Sequence, residues 1–149
     1  MESRRSFDAV DEAPAENATP LTVDELHVKD AFLVFRALCK LSMKPLGSES
    51  ERDLKSHAMR SKLLSLQLIL TVLHLHMPLF VDPSVLIYSS SSRERTPFVH
   101  AVKQYLCLSI SRNAVSSVIS VFELSCEIFW RVLQGMRTKL KVREGGRAQ

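Results

Sequence analysis

The chain has 149 residues, 46% of them hydrophobic, which is enough for one domain with a buried core. The formal net charge of +4 is unevenly distributed, because residues 1–30 hold eight acids and three bases whereas residues 131–149 hold six bases and one acid. The chain does not open with a basic region followed by an apolar run, which argues against a signal peptide and predicts an acidic, disordered lead over residues 1–24.

The first predicted helix begins after Thr22 or Asp24, either of which can cap it, and ends at Lys44 before Pro45. Most of its circumference is apolar, so we expect it to be covered on several sides. Three cations at spacings of four nevertheless lie within about 80° of arc. This cationic strip consists of Arg36, Lys40 and Lys44. We expect the strip to form one edge of the fold, either solvated or facing an acidic partner.

The second predicted helix begins near Ser56, after an acidic and polar loop, and ends before Pro78. Leu63–Val81 is a run of 19 residues without a formal charge, long enough to span a membrane. Polar residues in the run and the lack of an aromatic belt favour a buried core helix. A membrane-anchored helical protein spanning Leu63–Val81 is the alternative interpretation. A long loop with a serine run follows.

The third predicted helix starts at Thr96 and Pro97, a cap followed by a first-turn proline. A turn at Asn113 separates it from the fourth helix, residues 116–141. No segment shows the sustained alternation typical of a β-strand, so the predicted fold class is all-α. About four main helices then occupy residues 25–141, and residues 142–149 form a predicted disordered basic tail.

The fourth predicted helix is amphipathic, and its apolar face is predicted to comprise Val118, Phe122, Ser125, Phe129, Val132, Met136 and Leu140. Trp130 lies about 120° from the centre of that face. Two explanations of its position are open: Arg137 stacks on its ring, or Trp130 packs on a further helix in a longer protein. The core of the whole chain is predicted to include Phe32, Phe35, Leu66, Leu70, Leu106, Phe122 and Phe129.

The three cysteines, Cys39, Cys107 and Cys126, are predicted to be buried free thiols. Their number is odd, none belongs to a CxxC motif, and each lies in an apolar helical pattern. His74 and His76 are two residues apart on a helix, about 200° around it, so they cannot share a metal ion. We therefore expect no disulfide, no zinc site and no cofactor.

Four blocks of sequence between Lys29 and Lys141 carry a family resemblance: KDAFLVFRALCKLSMKPL, RSKLLSLQLILTVL, VKQYLCLSISRNAVSSV and VFELSCEIFWRVLQGMRTKLK. In this order they resemble the region upstream of the catalytic exchange domain in the large, brefeldin A-inhibited Arf guanine-nucleotide exchange factors of the trans-Golgi. The resemblance implies an armadillo/HEAT-like helical solenoid that serves regulation, self-association and recruitment by small Arf-like GTPases. It also implies a cytoplasmic protein, peripheral at Golgi membranes.

The chain departs from that family in three places. Residues 1–28 show no resemblance, the serine-rich insert is longer than in many relatives, and the family continues into further helices after Lys141. These features predict a fragment or a truncated product. The characteristic asparagine- and aspartate-containing box and the catalytic domain with its glutamate finger lie further downstream in the family, so exchange activity is not assigned to any residue.

The predicted function is a non-catalytic regulatory segment acting in vesicle-mediated protein transport. No Gly-rich phosphate loop or nucleophile elbow is found, so we expect no enzyme activity. The candidate interaction residues are Arg36, Lys40, Lys44, Trp130, Arg137 and Lys141. The basic end of the chain is predicted to touch an anionic Golgi membrane. Nucleic acid is not expected as a partner, because only one aromatic residue, Trp130, lies among the basic residues, whereas proteins that bind single strands stack the bases on several aromatic side chains.

Overall fold

The computed structural model describes residues 20–89 and 94–140. The helices are α1 (Val23–Ser42), α2 (His57–Leu75), α3 (Met77–Val81), α4 (Phe98–Asn113) and α5 (Ile119–Leu140). One turn of 3₁₀ helix (Ser50–Arg52) and an antiparallel pair of strands, β1 (Leu86–Tyr88) and β2 (Arg95–Pro97), join them. The predicted all-α class is confirmed, with α3 and the short strand pair as additions. Residues 1–19 of the predicted acidic lead, the basic tail and Lys141 lie outside the described residues, whereas the last two residues of the predicted lead, Val23 and Asp24, belong to α1.

The four long helices form two stacked pairs. In the described part of the chain, the backbone of α1 lies close to those of α2 and α4, and the backbone of α5 lies close to those of α2 and α4, whereas α1 and α5, and α2 and α4, are diagonal to each other. Each helix of the first pair, α1 and α2, therefore lies on one helix of the second pair, α4 and α5. This is the stacking found in armadillo and HEAT repeats, in which each pair buries its apolar side on the next.

Local capping explains where the first two long helices begin. The Thr22 hydroxyl accepts a hydrogen bond from the Glu25 backbone N–H at 3.3 Å, and the Glu25 carboxylate accepts one from the Thr22 N–H at 2.9 Å. This reciprocal capping box satisfies two backbone donors that have no partner within the helix. Ser56 caps α2 by accepting from the Met59 N–H at 3.0 Å. The start of α4 moves to Phe98, because Thr96 pairs with Ile87 in the strand ladder.

The second predicted helix ends before Pro78, as expected, and the short helix α3 follows it. α2 ends at Leu75, His76 separates it from α3, and the predicted span Leu63–Val81 is therefore not one helix. α3 places Phe80 in the core, with its ring centroid 5.1 Å from that of Phe35 and 5.2 Å from that of Phe98. One part of the stretch Ser50–Leu75 is apolar and long enough to cross a membrane by length and composition alone. Within the stack, however, one face of α2 is buried against α1 and α5.

The core forms along the seam between the helix pairs, and two of its predicted members lie elsewhere. Phe35, Leu66, Leu70 and Leu106 are buried as predicted, and Phe32 is half-buried. The predicted burial of Phe122 and Phe129 is wrong, because they are 46% and 49% exposed. The buried residues of α5 are Val121, Ser125, Ile128, Val132 and Met136. Their centre lies about 60–80° around the helix from the two phenylalanines, because α2 packs on that side.

The cysteines are also divided between core and surface. Cys39 is fully buried, whereas Cys107 and Cys126 are exposed, so the prediction of three buried thiols is wrong for two of them. Both exposed cysteines lie about 120° around their helices from the centre of the buried face. Burial raises the pKa of the Cys39 thiol to about 12, because the thiolate is poorly solvated in the core.

Candidate interaction surfaces

Two members of the cationic strip, half-buried Arg36 and exposed Lys40, lie over aromatic rings. The Arg36 guanidinium is 5.5 Å from the centroid of the Phe32 ring and 6.0 Å from that of Tyr105. The Lys40 ammonium is 5.8 Å from the Tyr105 centroid. Such contacts contribute about 0.5–1 kcal/mol each at exposed sites. Because Tyr105 belongs to α4, both cations help hold α1 on the second helix pair.

Lys44, the third member of the strip, differs from the other two. It is exposed just beyond the end of α1 and lines a cavity between the helix ends. Arg137 is exposed near the end of α5. The structure therefore separates the predicted interaction residues: Arg36 and Lys40 stabilise the stack, Lys44 borders a cavity, and Arg137 lies on another helix.

An exposed apolar surface runs along one flank of α5. This α5 apolar surface consists of Ile119, Phe122, Phe129, Trp130 and Leu133, which are between 39% and 72% exposed. Trp130 itself is 58% exposed, and no described cation lies over its ring. A stack of Arg137 on the indole is therefore not present. Contiguous exposed apolar side chains of this kind are typical of protein interaction sites.

The opposite flank of α5 is the one that meets α2. Glu123, Leu124 and Glu127 line a groove together with α2 residues, and Glu127 and Arg131 line a second groove further along the same pair. The α5 apolar surface consequently points away from α2. In a stack of helix pairs, this is the side on which a further pair packs.

A buried polar cluster, which sequence reasoning missed, connects α1, α2 and α4. The Lys62 ammonium donates to the Ser42 carbonyl oxygen and to Asn113 Oδ1, the latter at 3.2 Å. The Asn113 side-chain amide donates to the Ser109 carbonyl at 2.9 Å, and the Ser42 and Ser109 hydroxyls are 2.6 Å apart. Lys62 lies three residues after Met59 and four before Leu66, and both of these residues are buried. This helical spacing was the signal in the sequence that Lys62 faces the core.

The environment of Lys62 is unusual for a cation. Its side chain is only 8% exposed, and no described carboxylate lies within ion-pair distance of its ammonium. Burial lowers the pKa of Lys62 from its usual value, because the charged form loses solvation. Among the described residues, no three His, Cys, Asp or Glu side chains are close enough to hold a metal ion.

Two stacked helix pairs with an exposed apolar flank define a helical-repeat domain. The family is given by sequence: residues 27–144 match the model described as Mon2/Sec7/BIG1-like, HUS domain, and the chain belongs to this family. The resemblance noted in the four sequence blocks is thereby confirmed.

The relatives that match are named as guanine-nucleotide exchange proteins. The chain is 48% identical over 142 residues to the ADP-ribosylation factor guanine nucleotide-exchange factor sec71 of Schizosaccharomyces pombe, covering 95% of this chain and 8% of the relative. It is 52% identical over 114 residues to brefeldin A-inhibited guanine nucleotide-exchange protein 1 of Homo sapiens, covering 76% of this chain and 6% of the relative. It is 40% identical over 119 residues to brefeldin A-inhibited guanine nucleotide-exchange protein 4 of Arabidopsis thaliana, covering 78% of this chain and 6% of the relative.

These alignments show how much of each relative is similar to this chain. The chain spans 6–8% of the length of these relatives. The Schizosaccharomyces pombe alignment covers 95% of the chain and so includes most of residues 1–28, for which we had expected no resemblance. The similarity concerns the HUS domain and not the catalytic exchange domain.

Proposed function

We propose that this chain is a non-catalytic interaction segment of an Arf guanine-nucleotide exchange factor, acting in vesicle-mediated protein transport at Golgi membranes. The observation that carries the proposal is the α5 apolar surface, exposed on a chain that belongs to the HUS-domain family. The segment acts by contact: it holds other helical parts of the exchange factor in place, and the exchange chemistry belongs to a separate catalytic domain.

The occupant of the α5 apolar surface is a further helix pair of the exchange factor itself. The relatives have more than nine-tenths of their length outside the region matched here, which supplies such helices. Helix pairs in a solenoid bury their apolar flanks on the next pair, and the exposed flank of α5 matches that arrangement in position and chemistry. Small Arf-like GTPases and a second copy of the chain are the other partners that the family resemblance implies.

Trp130 is the only tryptophan in the chain, so its fluorescence reports directly on this surface. In the 149-residue chain we expect emission near that of free indole and strong quenching by acrylamide. Addition of the polypeptide that follows the aligned region in the Schizosaccharomyces pombe relative should shift the emission to the blue and reduce quenching. Emission that is already blue and shielded in the isolated chain would contradict the proposal.

Matched variants on opposite flanks of α5 make the test specific. Phe129→Ser replaces an exposed ring on the α5 apolar surface and should abolish the shift with little change in the circular dichroism melting curve. Glu123→Gln lies on the flank that borders α2 and should leave the shift intact. Equal loss of the shift in both variants would show that docking does not use the α5 apolar surface.

The non-catalytic role has its own measurement. The isolated chain should not accelerate nucleotide release from a small Arf GTPase in a fluorescent-nucleotide assay. In an intact relative, charge reversal at the positions aligned with Arg36, Lys40 and Lys44 should weaken recruitment to Golgi membranes while the exchange rate of the same intact protein in solution is unchanged. Acceleration by the chain alone would overturn the assignment, and unchanged recruitment of a folded variant would leave the strip a purely structural feature.

A further inference from the structure

A cationic cavity of about 440 Å³ lies between the ends of the helices. Its walls come from the residues that follow α1, the 3₁₀ turn, the first turns of α2, the end of α4 and the segment that leads into α5. The described residues of the lining include no carboxylate and four cations: Lys44, Arg52, Lys62 and Arg112. Asn113, Ser116 and Ser117 add an amide and two hydroxyls to the same walls. This cavity is distinct from the α5 apolar surface.

Lys62 is the buried element of the cavity. An ammonium has three N–H donors, and two of those of Lys62 bind the Ser42 carbonyl oxygen and Asn113 Oδ1. Both acceptors are neutral, so hydrogen bonding satisfies the donors without balancing the charge. A buried cation is ordinarily paired with an anion, because desolvation of an unpaired charge is costly. No described side chain provides that anion.

The backbone adds to the positive potential at one wall. α5 begins at Ile119, directly after the lining residues Ser117 and Val118, so the positive end of its dipole lies beside the cavity. The Val118 N–H already donates to the Ser116 hydroxyl at 3.2 Å, which fixes the conformation of this segment. The other three cations of the cavity, Lys44, Arg52 and Arg112, are exposed and have no described carboxylate in ion-pair contact.

We propose that this cavity binds a compact ligand with two or more phosphate groups, either a soluble phosphorylated polyol or the headgroup of a phosphorylated lipid. Guanidinium and ammonium groups are the usual partners of phosphate, and hydroxyl and amide donors complete its hydrogen bonding. A single phosphate monoester carries too little charge to balance four cations. A volume of about 440 Å³ is within the range of small-molecule sites and accommodates a phosphorylated sugar-sized ring.

Isothermal titration calorimetry with inositol trisphosphate tests the proposal on the full chain. We expect saturable binding whose affinity falls with salt, as for other phosphate contacts made by Lys and Arg. The double variant Lys44→Gln/Arg112→Gln removes two exposed lining cations and should weaken binding by about tenfold or more. Because both side chains are exposed, the fold should persist, and the far-ultraviolet circular dichroism spectrum checks this.

The control removes the same charge elsewhere. Arg60 is exposed on α2, about 160° around the helix from Lys62, and Arg137 is exposed near the opposite end of α5 from the cavity. Arg60→Gln/Arg137→Gln should bind inositol trisphosphate as tightly as the unaltered chain. Absence of binding to the unaltered chain, or equal weakening in the two double variants, would overturn the proposal.

Vesicles separate the two sources of phosphate. Phosphatidylcholine vesicles with phosphatidylinositol bisphosphate are compared in a flotation assay with vesicles that carry equal charge as phosphatidylserine. Preferential flotation with the bisphosphate lipid, lost in Lys44→Gln/Arg112→Gln, assigns the cavity to a lipid headgroup. Binding of inositol trisphosphate without flotation assigns it to a soluble ligand. These measurements do not depend on the α5 apolar surface, so this proposal and the proposed function can fail separately.

Discussion

α1 and α5 are both long amphipathic helices with aromatic residues on one flank, yet their flanks are covered differently. On α1, Phe32 is half-buried, lies edge-on to Tyr105 at 6.4 Å between centroids, and has Arg36 above it. On α5, Phe122 and Phe129 remain about half exposed. The difference arises because the flank of α1 meets α4, whereas the flank of α5 has no neighbour in the described part of the chain. Coverage of a flank is thus set by the neighbouring helix and not by its own composition.

The largest expected effect comes from one substitution made in both helices. Phe35→Ala removes a ring that is 2% exposed and should destabilise the fold by about 3–5 kcal/mol. Phe129→Ala, at 49% exposure, should cost about 1 kcal/mol or less, since much of the ring is already in water. Urea denaturation of both variants measures the difference. Similar losses of stability would show that the flank of α5 is covered.

A second substitution sharpens the position of the buried face on α5. Ile128 is 1% exposed and lies next to Phe129 in sequence. Ile128→Ala should therefore destabilise the chain by about 2–5 kcal/mol, several times more than Phe129→Ala. If Phe129→Ala had the larger effect, the face predicted from hydrophobicity would be correct and the observed orientation of α5 would be wrong.

The buried thiol of α1 and the exposed thiol of α5 predict a dependence on pH. Burial raises the pKa of Cys39 from 9.0 to about 12, so the unfolded chain loses this proton at lower pH than the folded chain. Stability should consequently fall as pH rises from about 9 towards 12, by about 1.4 kcal/mol per unit for this one proton. The slope of unfolding free energy against pH should be shallower in Cys39→Ala than in Cys126→Ala, and equal slopes would contradict the assignment.

The smallest expected effect concerns the Arg36 side chain, which lies over the Phe32 ring. Arg36→Gln removes the cation above the Phe32 and Tyr105 rings and should cost about 0.5–1 kcal/mol. Lys29→Gln, on the same helix, serves as the control, because no ring contact of Lys29 is recorded in the described part of the chain. Thermal melting of the two variants measures the difference, and an equal effect would contradict a stabilising contact between Arg36 and the two rings.

The features that sequence predicted are those set by neighbouring residues. Thr22, one of two candidate caps of the first helix, and Ser56, near which the second was expected to begin, are the caps in the structure, because capping depends on residues three positions away. α3 was missed, since Phe80 is drawn into the core by Phe35 and Phe98, which are remote in sequence. Composition alone indicated neither the orientation of α5 nor the cavity.

Lys62 illustrates the same limit at the level of one side chain. In the sequence, Lys62 lies directly before the uncharged run Leu63–Val81, and a lysine is ordinarily exposed. Its burial depends on Asn113, 51 positions later, and on the carbonyl of Ser42. Such long-range acceptors cannot be inferred from helical periodicity, which specifies a face but not what lies opposite it. The cationic strip was likewise visible in sequence, whereas the division of its members between ring contacts and a cavity was not.

The strand pair fixes two points of the chain side by side, and this makes it a natural insertion site. The Ser89 N–H donates to the Glu94 carbonyl at 3.1 Å, and Arg95 is held to Glu25 of α1 by an ion pair of 3.2 Å. The separation of these ends does not depend on the number of residues between them. Each doubling of a flexible connection costs only about 0.6 kcal/mol of closure entropy. An epitope tag or fluorescent reporter placed between Ser89 and Glu94 should therefore leave the helix stack and both interaction surfaces intact.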